Sequence, residues 1–399
     1  MSMPATVRQI NAARALERLL AHGAMSRADL ARELGLTRST ASRIAAELID
    51  EGQVIERAVE EAARSPRSGR PAIRLELNPD HALFLGADIA AGHLRLAAVD
   101  FVGRVRHLAD RAVDATRPGD LADDLARMIA AFRAGRDRPA AIRGLNVSVP
   151  GIVDLSGEVL RAPPLGWSRV PLQRMLQDRL APLPVAGLVN DANAFAVAAR
   201  DGHGGDALSD AVFLFIDEGV GACLISGGRI IYGRDGFAGE MGHIPMGEPG
   251  FDDRTGVAGA FENFVARRAI LARFAKLGGG TVDLAGFLAM LEAGDARAAR
   301  VADDWARVFG RGMAVLTALL NPQTIVIGGR VAPLFRHAAA RAREEMDRTL
   351  MPGSTAPRLE LARIGPEGPA VGAALMLQRQ SFAGMAEAVA AGEAMPAAI

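Results

Sequence analysis

The 399-residue sequence predicts an α/β protein: an all-α/winged helix-turn-helix domain over residues 1–78, then a larger domain of strands alternating with helices. Three observations carry that prediction. Short helical stretches separated by glycines fill residues 7–56. Asn78-Pro-Asp80 breaks the chain, and from Ala82 short apolar runs alternate with helical segments. The length also exceeds the usual size of a single core.

Apolar residues at Ile10, Ala13, Leu16, Leu19 and Leu20 give Val7 to His22 a helical period, ended by Gly23. Ser26-Arg-Ala-Asp29 starts a second helix with a weaker capping box, Asp standing for Glu or Gln, and Gly35 stops it. Thr37 caps a third helix, Arg38 to Asp50, closed by Gly52. Ala41, Ile44, Ala45 and Leu48 share its packing face, which leaves Arg38, Ser39, Ser42 and Arg43 to reach base edges or phosphates. Strands Gln53–Glu56 and Ala72–Leu77 flank a wing, 64–74, whose Arg64, Arg67 and Arg70 suit a narrow minor groove. A solvated helix face and a charged linker are the plainer readings of these two features.

In the larger domain, 79–380, strands are expected at Leu83–Ile89, Leu94–Val99, Ile142–Val147, Val185–Val189, Ala211–Ile216, Gly221–Ile225 and Thr324–Ile327. Helices are expected at Gly119–Arg133, Asp191–Arg200, between Ala258 and Leu320, near Pro333–Leu350 and after Pro369. Residues 381–399 read as an alanine-rich tail, and no short internal repeat stands out.

Lys plus Arg equals Asp plus Glu at 46 each, and half of the residues are hydrophobic, as in a soluble globular chain. The single cysteine, Cys223, rules out an internal disulfide. No signal peptide or membrane span is evident, so a cytoplasmic protein is expected. The stretch Gly236-Phe-Ala-Gly-Glu-Met-Gly-His243 places a carboxylate and an imidazole among glycines. By itself it fits catalysis, metal binding or recognition of a polyhydroxyl ligand.

The larger domain carries Gly86-Ala-Asp-Ile-Ala90, Val147-Ser-Val-Pro-Gly-Ile-Val-Asp154, Val189-Asn-Asp-Ala-Asn193, Asp217-Glu-Gly-Val-Gly221, the Gly-Glu-Met-Gly-His motif and Asn321-Pro-Gln-Thr-Ile-Val-Ile-Gly-Gly329. In order and spacing these resemble the ROK family of repressors and sugar kinases over about residues 82–380. The resemblance implies an actin-like (ribonuclease H-like) two-lobed fold with a sugar between the lobes. It implies sugar contacts from Asn190, Asp191, Glu240, His243 and Glu262, with Asp191 at the position of the kinases' base. At a helix start, that carboxylate is expected to stay ionised.

Two departures shape the functional expectation. The family's Asp-x-Gly-Gly-Thr phosphate segment is Asp88-Ile-Ala-Ala-Gly92, and its Gly-Thr-Gly turn is Asp217-Glu-Gly219, whose carboxylates would repel a triphosphate. ATP is therefore not expected as a cofactor, and Asp191 reads as a vestigial base. The family's zinc cysteines fall at Asp253, Thr255 and Ala260, so no zinc is expected either, and an Asp253–Arg254 salt bridge is expected to hold the loop. The expectation is a sugar-responsive repressor, acting as a homodimer or tetramer on double-stranded operator DNA. The alternatives are a sugar kinase with an appended DNA-binding domain, or a regulator triggered by a protein partner.

Overall fold

The computed structural model describes residues 5–58, 73–135, 141–154, 156–202, 208–253 and 257–390. The N-terminal domain contains α1 (Ala5–His22), α2 (Arg27–Leu34), α3 (Arg38–Asp50) and the antiparallel pair β1 (Val54–Ala58) and β2 (Ile73–Leu77). The expected caps form. Ser26 accepts from the Asp29 N–H at 3.1 Å while its hydroxyl donates to the Asp29 carboxylate at 2.7 Å. Thr37 accepts from the Thr40 N–H at 3.2 Å. Arg27 ties the unit together, donating to the Ser42 carbonyl on α3 and to Glu56 on β1. The arginines read at the wing tip, Arg64, Arg67 and Arg70, lie outside the described residues.

Next come β3 (Ala82–Ala90), β4 (His93–Asp100), β5 (Val105–Ala112), α4 (Pro118–Ala134), β6 (Ala141–Val149), β7 (Ile152–Val153), β8 (Val159–Ala162), β9 (Trp167–Val170), α5 (Leu172–Leu180), β10 (Val185–Asn190) and α6 (Asp191–Gly202). Strands β7, β8 and β9 form a small sheet of their own. The first lobe's main sheet has the order β10-β6-β3-β4-β5. The second lobe contains β11 (Ala211–Ile216), β12 (Val220–Ser226) and β13 (Arg229–Ile230). The helices α7 (Glu262–Val265), α8 (Arg267–Lys276), α9 (Leu284–Glu292) and α10 (Ala296–Leu320) follow, then β14 (Thr324–Gly328), α11 (Leu334–Thr349) and β15 (Arg358–Leu361). Its sheet has the order β13-β12-β11-β14-β15. In each lobe the first strand pairs parallel with the fourth and antiparallel with the second. The two lobes therefore repeat one topology, the two-lobed actin-like architecture, although no repeat is visible in the residues.

The final helix, α12 (Gly368–Ala390), packs on α6, β3 and α1. The tail read from residue 381 thus begins inside a helix, and Phe382 is buried. Backbone-to-backbone approach explains two of its contacts. A methyl group at Gly372 would lie 1.7 Å from the Ala194 carbonyl oxygen of α6, and one at Gly86 would lie 2.1 Å from the Ala370 oxygen. One apolar cluster runs from Leu16, Ile44 and Leu75 through Phe84 and Phe101 to Leu375 and Phe382. The N-terminal domain and the first lobe share this core across the Asn78-Pro-Asp80 break. Each such buried aromatic or leucine removes apolar surface worth about 1.5–3 kcal/mol.

Candidate functional site

A cleft of about 520 Å³ opens between the lobes, a size suited to a small polar ligand. All five residues read as sugar contacts line it: Asn190, Asp191, Glu240, His243 and Glu262. Their supports differ. Asn190 caps α6, its Oδ1 accepting from the Asn193 N–H at 3.1 Å, while its Nδ2 donates to the Gly151 carbonyl at 3.2 Å. One N–H of its amide is left for a ligand.

Asp191 begins α6 and accepts from the Ala192 N–H at 2.9 Å. The expectation that this carboxyl stays ionised is corrected. Burial at the cleft floor, then the charges of Asp88, Glu240 and Asp217, push its pKa up to about 8. A helix end and one N–H donor do not offset three nearby carboxylates. At neutral pH the group is mainly a carboxylic acid, a hydrogen-bond donor rather than a base.

Glu240 and His243 sit on a short 3-10 turn, with Glu240 Oε2 3.6 Å from His243 Nε2. The turn depends on Gly239: its φ is +97°, and a Cβ there would meet the Ala222 carbonyl oxygen at 1.8 Å. Burial raises the Glu240 pKa. Glu262 opens α7 and accepts from the Val220 backbone, and burial raises its pKa as well. Pro150, Gly151, Pro163 and Pro164 also line the cleft; the prolines add no N–H donors.

The two phosphate-like segments are filled by internal ion pairs. Asp88 is buried, takes Arg95 Nη1 at 3.0 Å and Ser148 Oγ at 3.1 Å, and has its pKa raised by burial to about 6. Arg95 also reaches Asp110 at 3.0 Å. On the other lobe, Arg330 donates to Asp217 at 2.6 Å and to Glu218 at 3.4 Å, and Arg267 pairs with Glu218 as well. The carboxylates read as repelling a triphosphate are thus largely neutralised by arginines. These side chains are already paired to one another, a feature the turn's own residues did not announce.

The expected Asp253–Arg254 salt bridge falls on a residue outside the described ones. Arg254, Thr255 and Gly256 are not among the described residues; among those that are, Asp253 accepts from the N–H groups of Gly250 and Gly259 and from Asn263 Nδ2, each at 2.8 Å. Away from the cleft, α3 buries Ala41, Ile44, Ala45 and Leu48 and leaves Arg38, Ser39 and Arg43 exposed, with Ser42 half-buried. No helix among the described residues is long and apolar enough to cross a membrane.

Residues 84–380 match the ROK family model, and residues 8–65 match the MarR family model. A relative from Caldicellulosiruptor sp. (strain Rt8B.4) is 31% identical over 354 residues, covering 83% of this chain and 86% of the relative. The xylose repressor of Caldicellulosiruptor bescii is 28% identical over 347 residues, covering 82% and 84%. Among solved structures, a ROK family transcriptional regulator homologous to the E. coli MLC protein superposes with a TM-score of 0.79 at 25% identity, covering 96% of this chain and 99% of that one. A ROK family glucokinase from Streptomyces griseus, in complex with glucose and AMPPNP, gives a TM-score of 0.65 at 26% identity over 75% of this chain and 99% of its own.

Proposed function

The chain belongs to the ROK family, and we propose that it is a cytoplasmic, sugar-responsive repressor that binds operator DNA and does not phosphorylate its sugar. The observation that carries this reading is a cleft with five convergent sugar-type residues whose phosphate segments are taken up by internal ion pairs. The sugar then acts as a signal. Asp191, at the start of α6, donates a hydrogen bond, while Glu240, Glu262 and His243 accept or donate across a ring of hydroxyls. Neither zinc nor ATP is part of this proposal.

In the same reading Arg38, Ser39, Ser42 and Arg43 contact DNA, with Arg67 and Arg70 of the wing reaching the minor groove. A homodimer places two such units on a two-fold operator. Names of relatives make D-xylose the first sugar to test. An operator duplex selected from a random pool is bound and titrated with a sugar panel, followed by fluorescence anisotropy. One sugar is expected to release the duplex. A coupled ATP-consumption assay with the same panel is expected to stay at background. Turnover that Asp191→Asn abolishes would replace this reading with a kinase.

A further inference from the structure

We propose that Asp253 is the positioning residue of the sugar cleft, and that its carboxylate organises this loop around an anion where zinc-bearing relatives use a cation. The inference rests on the cleft being a sugar site.

The residues do not fit zinc. Of the positions that would face the metal, Ala260 offers a buried methyl group and His243 lies beside Glu240. Both Asp253 oxygens are engaged by N–H donors: Oδ2 by Gly250, and Oδ1 by Gly259 and Asn263. Those donors turn the positive ends of their dipoles inward, which favours a carboxylate and repels a cation. Among the described residues no group of three or more His, Cys, Asp or Glu side chains is placed to hold a metal. The orphaned buried oxygen nearby, Asn263 Oδ1, is a neutral amide and a single ligand.

The connections run from Asp253 to the segment after His243 and to α7, both on the second lobe's side of the cleft. Gly259 has φ +68°, and its carbonyl accepts from the Met246 N–H at 2.8 Å. Pro245 bridges to Ala260, and the Phe261 N–H donates to the Ile244 carbonyl at 2.8 Å. The strand-like segment that follows His243 is therefore docked on the segment Asp253 holds. Asn263 follows Glu262 on α7, donates also to the Val257 carbonyl at 2.8 Å, and accepts from the Phe251 N–H at 2.9 Å. One carboxylate thus fixes the rail that carries His243 and the helix that carries Glu262. It lines no part of the cleft itself.

The test compares full-length wild type with Asp253→Ala and Asp253→Asn by amide hydrogen exchange and by titration with D-xylose, each with and without EDTA. In both variants exchange over 243–263 is expected to rise at least about tenfold while β11 and α10 keep their protection, since charge-assisted bonds are lost. Asn is nearly isosteric but sets an NH₂ against N–H donors, so it is expected to fail too, and Asp253→Glu to recover part of the protection. D-xylose affinity is expected to fall roughly tenfold or more in Ala and Asn variants, and EDTA to change nothing in the wild type. Unchanged exchange in Asp253→Ala, or wild-type exchange that EDTA accelerates, overturns the proposal. A wild type that binds no sugar removes the sugar reading and leaves Asp253's role to be read from exchange alone.

Discussion

At the scale of single residues, Asp191 is the group whose chemistry the fold changes most. Its ordinary pKa is 3.8 and in the folded protein it is pushed up to about 8, first by burial and then by Asp88, Glu240 and Asp217. Between those values the folded chain holds a proton that the unfolded chain has released. Stability is therefore fullest below the unfolded value and declines as pH rises through the folded one. Asp191→Asn removes the titration and keeps a donor, so its melting temperature should match the wild type below about pH 4 and exceed it by a growing margin up to about pH 9. Calorimetry across that range checks this; parallel curves would mean Asp191 is ionised after all. Residue types at this site were legible in the sequence, since Asn190, Asp191, Glu240, His243 and Glu262 all reach one cleft. Their states were not. The proton on Asp191 depends on Asp88, Asp217 and Glu240, which other strands and turns bring close, and Asn190 spends most of its amide capping α6 and bracing Gly151.

Among the elements, α12 is the one whose packing decides the most. It lies against α6, which begins at Asp191, and against α1 of the N-terminal domain. Gly372→Ala would put a Cβ 1.7 Å from the Ala194 carbonyl oxygen, so α12 must lift away from α6. Such overpacking costs about 1–3 kcal/mol. A methyl group at Gly119, in the first turn of α4, would meet nothing within 4 Å, and Gly119→Ala should be neutral or stabilise by about 0.4–1 kcal/mol. Denaturant titrations of the two variants separate packing from helix propensity, and equal effects would refute the contact. The elements that sequence periodicity found are those with a buried face. Strand β3 is buried along nearly its whole length, whereas β5 is mostly exposed at a sheet edge and reads Val-Arg-His-Leu-Ala-Asp-Arg-Ala. An edge strand without an apolar run leaves little trace in the sequence. For α12 the alanines beyond residue 381 suggested a tail, and only the burial of Phe382 against Phe101, with ring centroids 4.9 Å apart, shows the helix continuing.

Over the whole molecule, the two lobes share a topology that no residue repeat disclosed, because strand pairing is set by the order and burial of apolar runs rather than by residue identity. The shared core adds a consequence for switching. The cleft residues at the start of α6, the α6–α12 packing and the α12–α1 packing form one continuous path to α3. Under the proposed function, sugar and operator then bias the same arrangement. Linkage requires that sugar weaken operator binding by the same factor as operator weakens sugar binding, on the order of 5–150-fold for ordinary couplings. Phe382 stands in this path without lining the cleft or belonging to α3, its ring tilted against Phe101, while Gln378 donates to the Phe101 carbonyl at 2.9 Å. Phe382→Ala should leave each ligand bound on its own and bring both factors towards one. Titrating sugar with and without operator, and operator with and without sugar, measures both factors in the wild type and the variant. A variant that binds both ligands with the full wild-type factor would place the coupling outside α12, in contacts between the two copies of the dimer.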